Sequence, residues 1–302
     1  MASNTYEAVG NKEDISDIIT NISPSDTPLH SRLGRVRATA TYHEWLEDEL
    51  GEARDNAFPE GFTFVTEDVP PRQRLGNYTQ IMWRGIHVTG TQEAVAKHGL
   101  TSEMAYQMQS TLKELSMDFE RALLTQDTMI PGTVEAMTRQ FGGLPYWIVT
   151  HVLDNSGMPR PLTFDLINSA LEEVWADGGH PTLLLVSPRS KRIISTFTAG
   201  NVKYMDGNKT RRLTQMISVL ETDFGVVTCV TDRHLPGGAD DVVYGLSPEY
   251  LKRAILRPFK QQDIPKISDE ERRGVYGEWT LECRAEKAHF AIKDLDGIVP
   301  TV

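Results

Sequence analysis

From Leu100 to Gln126 apolar residues return at every third or fourth position, as Leu100, Met104, Met108, Leu112, Leu115, Phe119 and Leu123. That spacing lays them along one stripe of a single amphipathic helix. At about 1.5 Å per residue the helix would run roughly 39 Å, well beyond an average helix. Upstream the period changes to two. Ala38 to Trp45 and Asn77 to Gly90 are strand-like, the second with Ile81 and Trp83, then Ile86 and Val88. The charged segment between them carries Pro59-Glu60-Gly61, so the two runs predict a long hairpin with an irregular tip. Before them, Glu13 to Thr20 is a short helical candidate, and Ser23 to Pro28 turns or extends the chain.

A turn-rich break from Pro131 to Gly143 is followed by alternating periods. Phe164, Ile167, Leu171 and Val174 make a helix face, and Thr182 to Ser187 is an apolar strand with Pro188 placed to start a helix after it. Strands are predicted at Thr214–Glu221, Val226–Thr231 and Val242–Gly245, which together describe an α/β unit from Leu144 to Leu246. Near the end, Val275, Trp279, Leu281 and Cys283 alternate with Tyr276, Glu278, Thr280, Glu282 and Arg284. This predicts a half-buried strand with Gly277 a weak point in its apolar face. No internal repeat or low-complexity tract interrupts the layout.

Composition narrows the function classes. The 302 residues are 39% hydrophobic and 24% charged, enough for one large core or two smaller ones. A net charge of -11 argues against a tight grip on phosphate backbones. Cys229 and Cys283 stand far apart and outside any C-x-x-C spacing, which indicates neither a disulfide framework nor a zinc site and suits a reducing cytoplasm. No signal-peptide pattern opens the chain, and no apolar run reaches the roughly 20 residues that span a bilayer.

Candidate chemistry is thin. Gly207-Asn208-Lys209-Thr210 has Asn where a phosphate-binding loop needs Gly before Lys, and His43-Glu44 lacks the second His of a metalloprotease helix. Asp165, Glu172, Glu173 and Asp177 share a predicted helix, and a solvated helix face accounts for them. No G-x-S-x-G elbow fixes a nucleophile, and the sequons at Asn77 and Asn208 are coincidences without a secretory signal. No catalytic residue, cofactor or metal site is assigned. What does call for an explanation is the hairpin, whose rings Trp45, Phe58, Phe62, Phe64 and Trp83 need a surface to cover them.

The run Glu13-Asp14-Ile15-Ser16-Asp17-Ile18-Ile19-Thr20-Asn21-Ile22-Ser23-Pro24 through Thr27-Pro28 resembles the N-terminal arm of the SU10-like family of tailed-phage major capsid proteins. The resemblance continues in order through Thr41-Tyr42-His43-Glu44-Trp45, Asn56-Ala57 with Glu60-Gly61, Leu75-Gly76-Asn77-Tyr78-Thr79-Gln80-Ile81 and Gly90-Thr91-Gln92-Glu93-Ala94-Val95. It closes with Leu256-Arg257-Pro258-Phe259, Gly277-Glu278-Trp279-Thr280-Leu281-Glu282 and Glu286-Lys287-Ala288-His289. It implies an α+β, HK97-type fold divided as an N-terminal arm (1–37), an extended loop (38–89), a peripheral domain with a spine helix (90–140), an axial domain (141–250) and return strands completing the peripheral domain (251–302). It also implies a non-enzymatic subunit that self-assembles as hexamers and pentamers into an icosahedral head, in the virion after assembly in the host cytoplasm. Trp45, Phe58, Phe62, Phe64 and Trp83 then become subunit-interface candidates. The expected partners are further copies, a separate scaffolding protein, a portal, cement proteins and loosely held packaged DNA, with no membrane and no Lys–Asn cross-link. The competing expectations are an α/β enzyme on the central domain and a ring-forming tail or connector protein.

Overall fold

The computed structural model describes residues 26–51, 53, 55–63, 71–95, 102–133, 138–197, 219–237 and 241–296. The helical candidate at Glu13–Thr20, Phe64, Leu100, Lys209 and the first part of the strand expected at Thr214–Glu221 lie outside these residues.

In chain order the elements are α1 (Pro28–Arg32), β1 (Gly34–Arg37), β2 (Tyr42–Glu47), β3 (Gln73–Tyr78), β4 (Gln80–Thr89), α2 (Gly90–Ala94) and the long α3 (Glu103–Thr125). There follow α4 (Leu144–Trp147), β5 (Val152–Leu153), α5 (Phe164–Ala176), β6 (Leu183–Val186), α6 (Pro188–Thr196), β7 (Val219–Thr222), β8 (Gly225–Thr231) and β9 (Asp241–Leu246). The chain ends with β10 (Leu251–Ile264), β11 (Glu270–Cys283) and β12 (Phe290–Leu295).

The long α3 starts where a cap permits it. Ser102 Oγ accepts from the Ala105 amide at 3.2 Å, which satisfies one of the helix's free N–H groups. Met104, Leu115, Phe119 and Leu123 of the expected stripe are buried, whereas Leu112 is exposed and Thr111 occupies the covered side instead. α6 likewise begins at Pro188 behind a Ser187 cap, because Pro at the first helical position has no amide to leave unpaired.

Two larger sheets and the two-stranded β2-β3 ribbon organise the described residues. The first has the order β1-β10-β11-β4, with β1 parallel to β10 and the remaining pairs antiparallel. The second has the order β5-β12-β9-β6-β8-β7 and is covered by α5 and α6. Its apolar interior includes Ile167, Leu171, Val174, Leu184, Val186, Ile194, Val243, Phe290 and Ile292. A separate core at the junction gathers Leu29, Trp45, Leu115, Phe119, Leu123, Phe141, Trp147, Trp279 and Leu281. It joins α1, α3 and the four-stranded sheet.

The hairpin differs from the one the alternation predicts. β2 pairs with β3, from Tyr42 opposite Tyr78 to Glu47 opposite Gln73, but β4 leaves this ribbon and pairs with β11 from Trp279 opposite Gln80 to Glu270 opposite Thr89. The switch occurs at buried Thr79, whose amide donates to Thr41 O at 2.8 Å and whose hydroxyl donates to Glu278 Oε1 at 2.7 Å. The stretch 251–302 also divides: β10 and β11 build the four-stranded sheet, whereas β12 enters the six-stranded one between β5 and β9.

Two readings of the C-terminal strand need correction. Glu278, Thr280 and Glu282 are buried, so β11 is covered on both faces over this stretch. Gly277 is a fitted position, because a Cβ there would collide with the Phe259 ring. That ring packs on Trp279 with centroids 4.1 Å apart. The sequence pattern also missed β10, a 14-residue strand whose register with β11 shifts on either side of Arg257. Pro258, which has no amide to give a ladder, sits in the second of these irregularities.

Candidate interaction surface

β2 and β3 alone could not hold a projecting ribbon in place, since an isolated two-stranded hairpin is marginal in water. Its root is fastened by buried polar groups. Asn77 donates through Nδ2 to Gly142 O at 2.9 Å and to Leu281 O at 2.8 Å, and its Oδ1 accepts from the Gly142 amide at 2.9 Å. That side chain is saturated and wholly enclosed, which gives the apparent sequon a structural role.

Glu278 is a second fastening, only 3% exposed. It takes Arg139 Nη2 at 2.6 Å, Arg257 Nε at 2.8 Å and the Thr79 hydroxyl. Charge-assisted bonds of this kind offset the cost of burying a carboxylate. Glu282, also enclosed, is met by His43 Nε2 at 2.8 Å and by Arg284. Burial pushes its acidity down, but His43 and Arg284 outweigh this and hold its pKa below the usual carboxylate value. The structure draws His43 inward as the partner of this buried charge.

The five ring candidates separate. Trp45 is 6% exposed and packs on Trp147 at 5.1 Å between centroids, with its Nε1 donating to Glu47 Oε1 at 3.1 Å. It is a core residue of its own subunit, a correction to its place among the interface candidates. Only this position of β2 is buried, so the ribbon's root presses one ring inward. Phe58 and Phe62 stack at 4.6 Å beyond the end of β2 and remain 57% and 41% exposed. Phe64 lies outside the described residues.

Trp83 is intermediate. Its ring lies over Gly274 of β11 and touches Gly85, and a Cβ at Gly274 would occupy the ring's place. One face is thereby seated on the sheet while 47% of the residue stays exposed. Ile81, two residues before it on the same face of β4, is exposed as well. Tyr276 lies directly opposite Trp83 with the Arg257 guanidinium 5.2 Å from its ring centroid. The exposed surface is thus an apolar strip on the four-stranded sheet and a separate pair of stacked rings on the ribbon segment.

Asp165, Glu172, Glu173 and Asp177 are all exposed, and the latter two approach His151 at 3.9 and 3.3 Å. Cys229 and Cys283 are unpaired and buried, and burial raises both thiol pKa values. No group of three or more His, Cys, Asp or Glu side chains suited to a metal occurs among the described residues.

Comparison with known proteins places these features. Residues 2–296 match the family model described as SU10 major capsid protein. The major capsid protein of Escherichia phage Phieco32 is 30% identical over 122 residues, a match covering 40% of this chain and 35% of that protein, so about a third of the curated relative's length is spanned. The cyanophage A-1(L) capsid asymmetric unit superposes with a TM-score of 0.68 at 13% identity, covering 95% of this chain and 97% of that one. The capsid of an empty GTA particle gives 0.66 at 9% identity, with 97% and 100% covered.

Proposed function

This chain belongs to the SU10 major capsid protein family and has the HK97-type fold, and from that premise we propose that it self-assembles as hexamers and pentamers into the icosahedral shell of a tailed-phage head. The observation that carries this reading is the family match across residues 2–296 combined with superposition on capsid subunits over nearly the whole of both chains. A shell subunit must present several weak, separate contacts, because many modest interfaces add to a strong closed assembly. The stacked Phe58 and Phe62 and the strip of Ile81 and Trp83 have that character.

In this reading the arm adds β1 to the edge of the four-stranded sheet, β2, β3 and the segment between them are the extended loop, α3 with β4, β10 and β11 is the peripheral domain, and the six-stranded sheet is the axial domain. The shell interior faces packaged DNA without gripping it, consistent with the net charge of -11. A separate scaffolding protein, a portal and cement proteins complete the set of partners, and assembly takes place in the host cytoplasm. The subunit acts by geometry, without catalysis. No helix among the described residues is long and apolar enough to cross a membrane.

Sedimentation of the purified full-length chain across a range of concentration and salt tests the proposal. Hexamers, pentamers or larger closed particles are expected; a strictly monomeric species under all conditions would refute it.

A further inference from the structure

On the four-stranded sheet Arg84, Arg257, Arg272 and Arg273 each meet a carboxylate. Arg35, Arg37 and Arg253 meet none among the described residues, and from Thr27 to His43 the chain contains no Asp or Glu to serve them. The register brings the three together. Arg35 of β1 lies directly opposite Arg253 of β10, so both side chains leave the same face, and Arg37 follows on that face about 7 Å further along the strand.

Arg35 and Arg37 are exposed, whereas Arg253 is only 5% exposed. Its guanidinium lies 4.7 Å from the Trp279 ring centroid and donates through Nη1 to the His30 ring, 2.5 Å from Nε2, while its Nε has no acceptor among the described residues. Glu120 of α3, which reaches α1, is taken up by the Leu29 and His30 amides at 2.7 and 2.6 Å and makes no bond to Arg253. Like charges opposite each other on adjacent strands destabilise a sheet, and a buried cation without a counter-charge does so more strongly. Burial and then Arg35 lower the Arg253 pKa to about 10, and burial, Arg253 and Arg35 lower that of His30 to about 4. Charged side chains do guard edge strands such as β1, but guarding needs only the outward Arg35 and Arg37, not a buried cation opposite Arg35.

An anion supplied from outside the subunit removes the mismatch. Guanidinium forks match phosphate oxygens, and two exposed ones in line with a third beside them suit successive phosphates better than one carboxylate. We propose that Arg35, Arg37 and Arg253 form a phosphate-contacting site at the root of the arm, taking the backbone of a nucleic acid. The identity of that nucleic acid as the enclosed genome rests on the capsid reading; the site itself rests on the sheet register and the missing counter-charge. With three phosphates engaged by a chain of net charge -11, the contact is weak, independent of base sequence and sensitive to salt.

Fluorescence anisotropy of a short end-labelled DNA duplex with the full-length protein, read from about 50 to 200 mM salt, tests this. Three phosphate contacts predict a log–log slope of about -2.7, which is about a 40-fold loss of affinity over that range. Arg35→Gln combined with Arg37→Gln leaves one contact, a slope of about -0.9 and about a 3.5-fold loss. Arg72→Gln combined with Arg74→Gln, an equal change of net charge on the β2-β3 ribbon, should keep the wild-type slope. The wild-type slope in the first variant, or the same reduction in both, overturns the site. If the first variant does not fold, Arg37→Gln alone should reduce the slope by about 0.9.

Inorganic phosphate, compared with chloride at matched ionic strength, should raise the melting temperature of the wild type more than that of the Arg35→Gln, Arg37→Gln variant. A phosphate response without duplex binding would assign the site to the free ion and overturn the nucleic-acid assignment. Neither response, together with capsomers lost on sedimentation of the double variant, would mean that an acidic segment of a second copy supplies the charge, and overturns it too. A strict monomer that binds the duplex with the expected slope would refute the shell and support the site.

Discussion

Replacing Trp45 by alanine distinguishes a core ring from an interface ring. The side chain is 6% exposed and seated on Trp147. Nearly all of a surface of about 250 Å² is removed from water, which at about 25 cal/mol per Å² sets an upper bound of ~6 kcal/mol. Truncations of buried Trp and Phe usually cost about 3–5 kcal/mol, the cavity being partly relieved by collapse. No stranded carboxylate adds to this, because Glu47 Oε1 still receives the Ala285 amide at 3.0 Å. Urea unfolding of dissociated Trp45→Ala subunits should therefore show a stability loss of about 3–5 kcal/mol, with any assembly defect following from it. Subunit stability within about 1 kcal/mol of wild type, together with failed assembly, would refute the placement of Trp45 in its own subunit's core.

Phe58→Ser combined with Phe62→Ser should leave the circular dichroism melt of the subunit unchanged while shifting sedimentation towards smaller species, since both rings are largely exposed in the subunit. Trp83→Ala should do both: the exposed half of the ring offers ~115 Å² and up to about 3 kcal/mol to a neighbour, and the seated half a similar amount to its own sheet. Asn77→Ala leaves the Gly142 amide and two buried carbonyls without partners, and chemical denaturation should register a loss of about 3 kcal/mol or more. His289, whose pKa burial lowers from 6.5 to about 4, adds stability above pH 6.5 that is lost as pH falls towards 4. Its Nδ1 accepts the Ser247 amide, so His289→Asn keeps an acceptor and should flatten acid unfolding by about 1.4 kcal/mol per pH unit in that window.

The long helix was legible because its stripe repeats locally every three or four residues, and Pro188 marks a helix start within a turn. The partner of a strand is not local. Strand-like residues run from Asn77 to Thr89 with no turn signal at Thr79, and nothing in them reveals that Thr79 hands the chain from β2 to β11 almost two hundred residues away. For the same reason Trp45 read as an exposed hairpin ring, its cover being Trp147 in α4. Buried polar residues misled most. Glu278, Glu282, Asn77 and Glu120 look like solvent-facing positions until their arginine, histidine and backbone partners arrive from distant segments. Three of the four lay inside segments that carried the family resemblance, and that was the one available signal of their importance.

Electron cryomicroscopy of the purified assemblies tests the central claim most directly. The account predicts fivefold and sixfold capsomers, or closed icosahedral shells, with the six-stranded sheets gathered about the symmetry axes and the Phe58–Phe62 segment lying against a neighbouring subunit. Particles of another symmetry, or capsomers in which that segment touches only its own subunit, would contradict it.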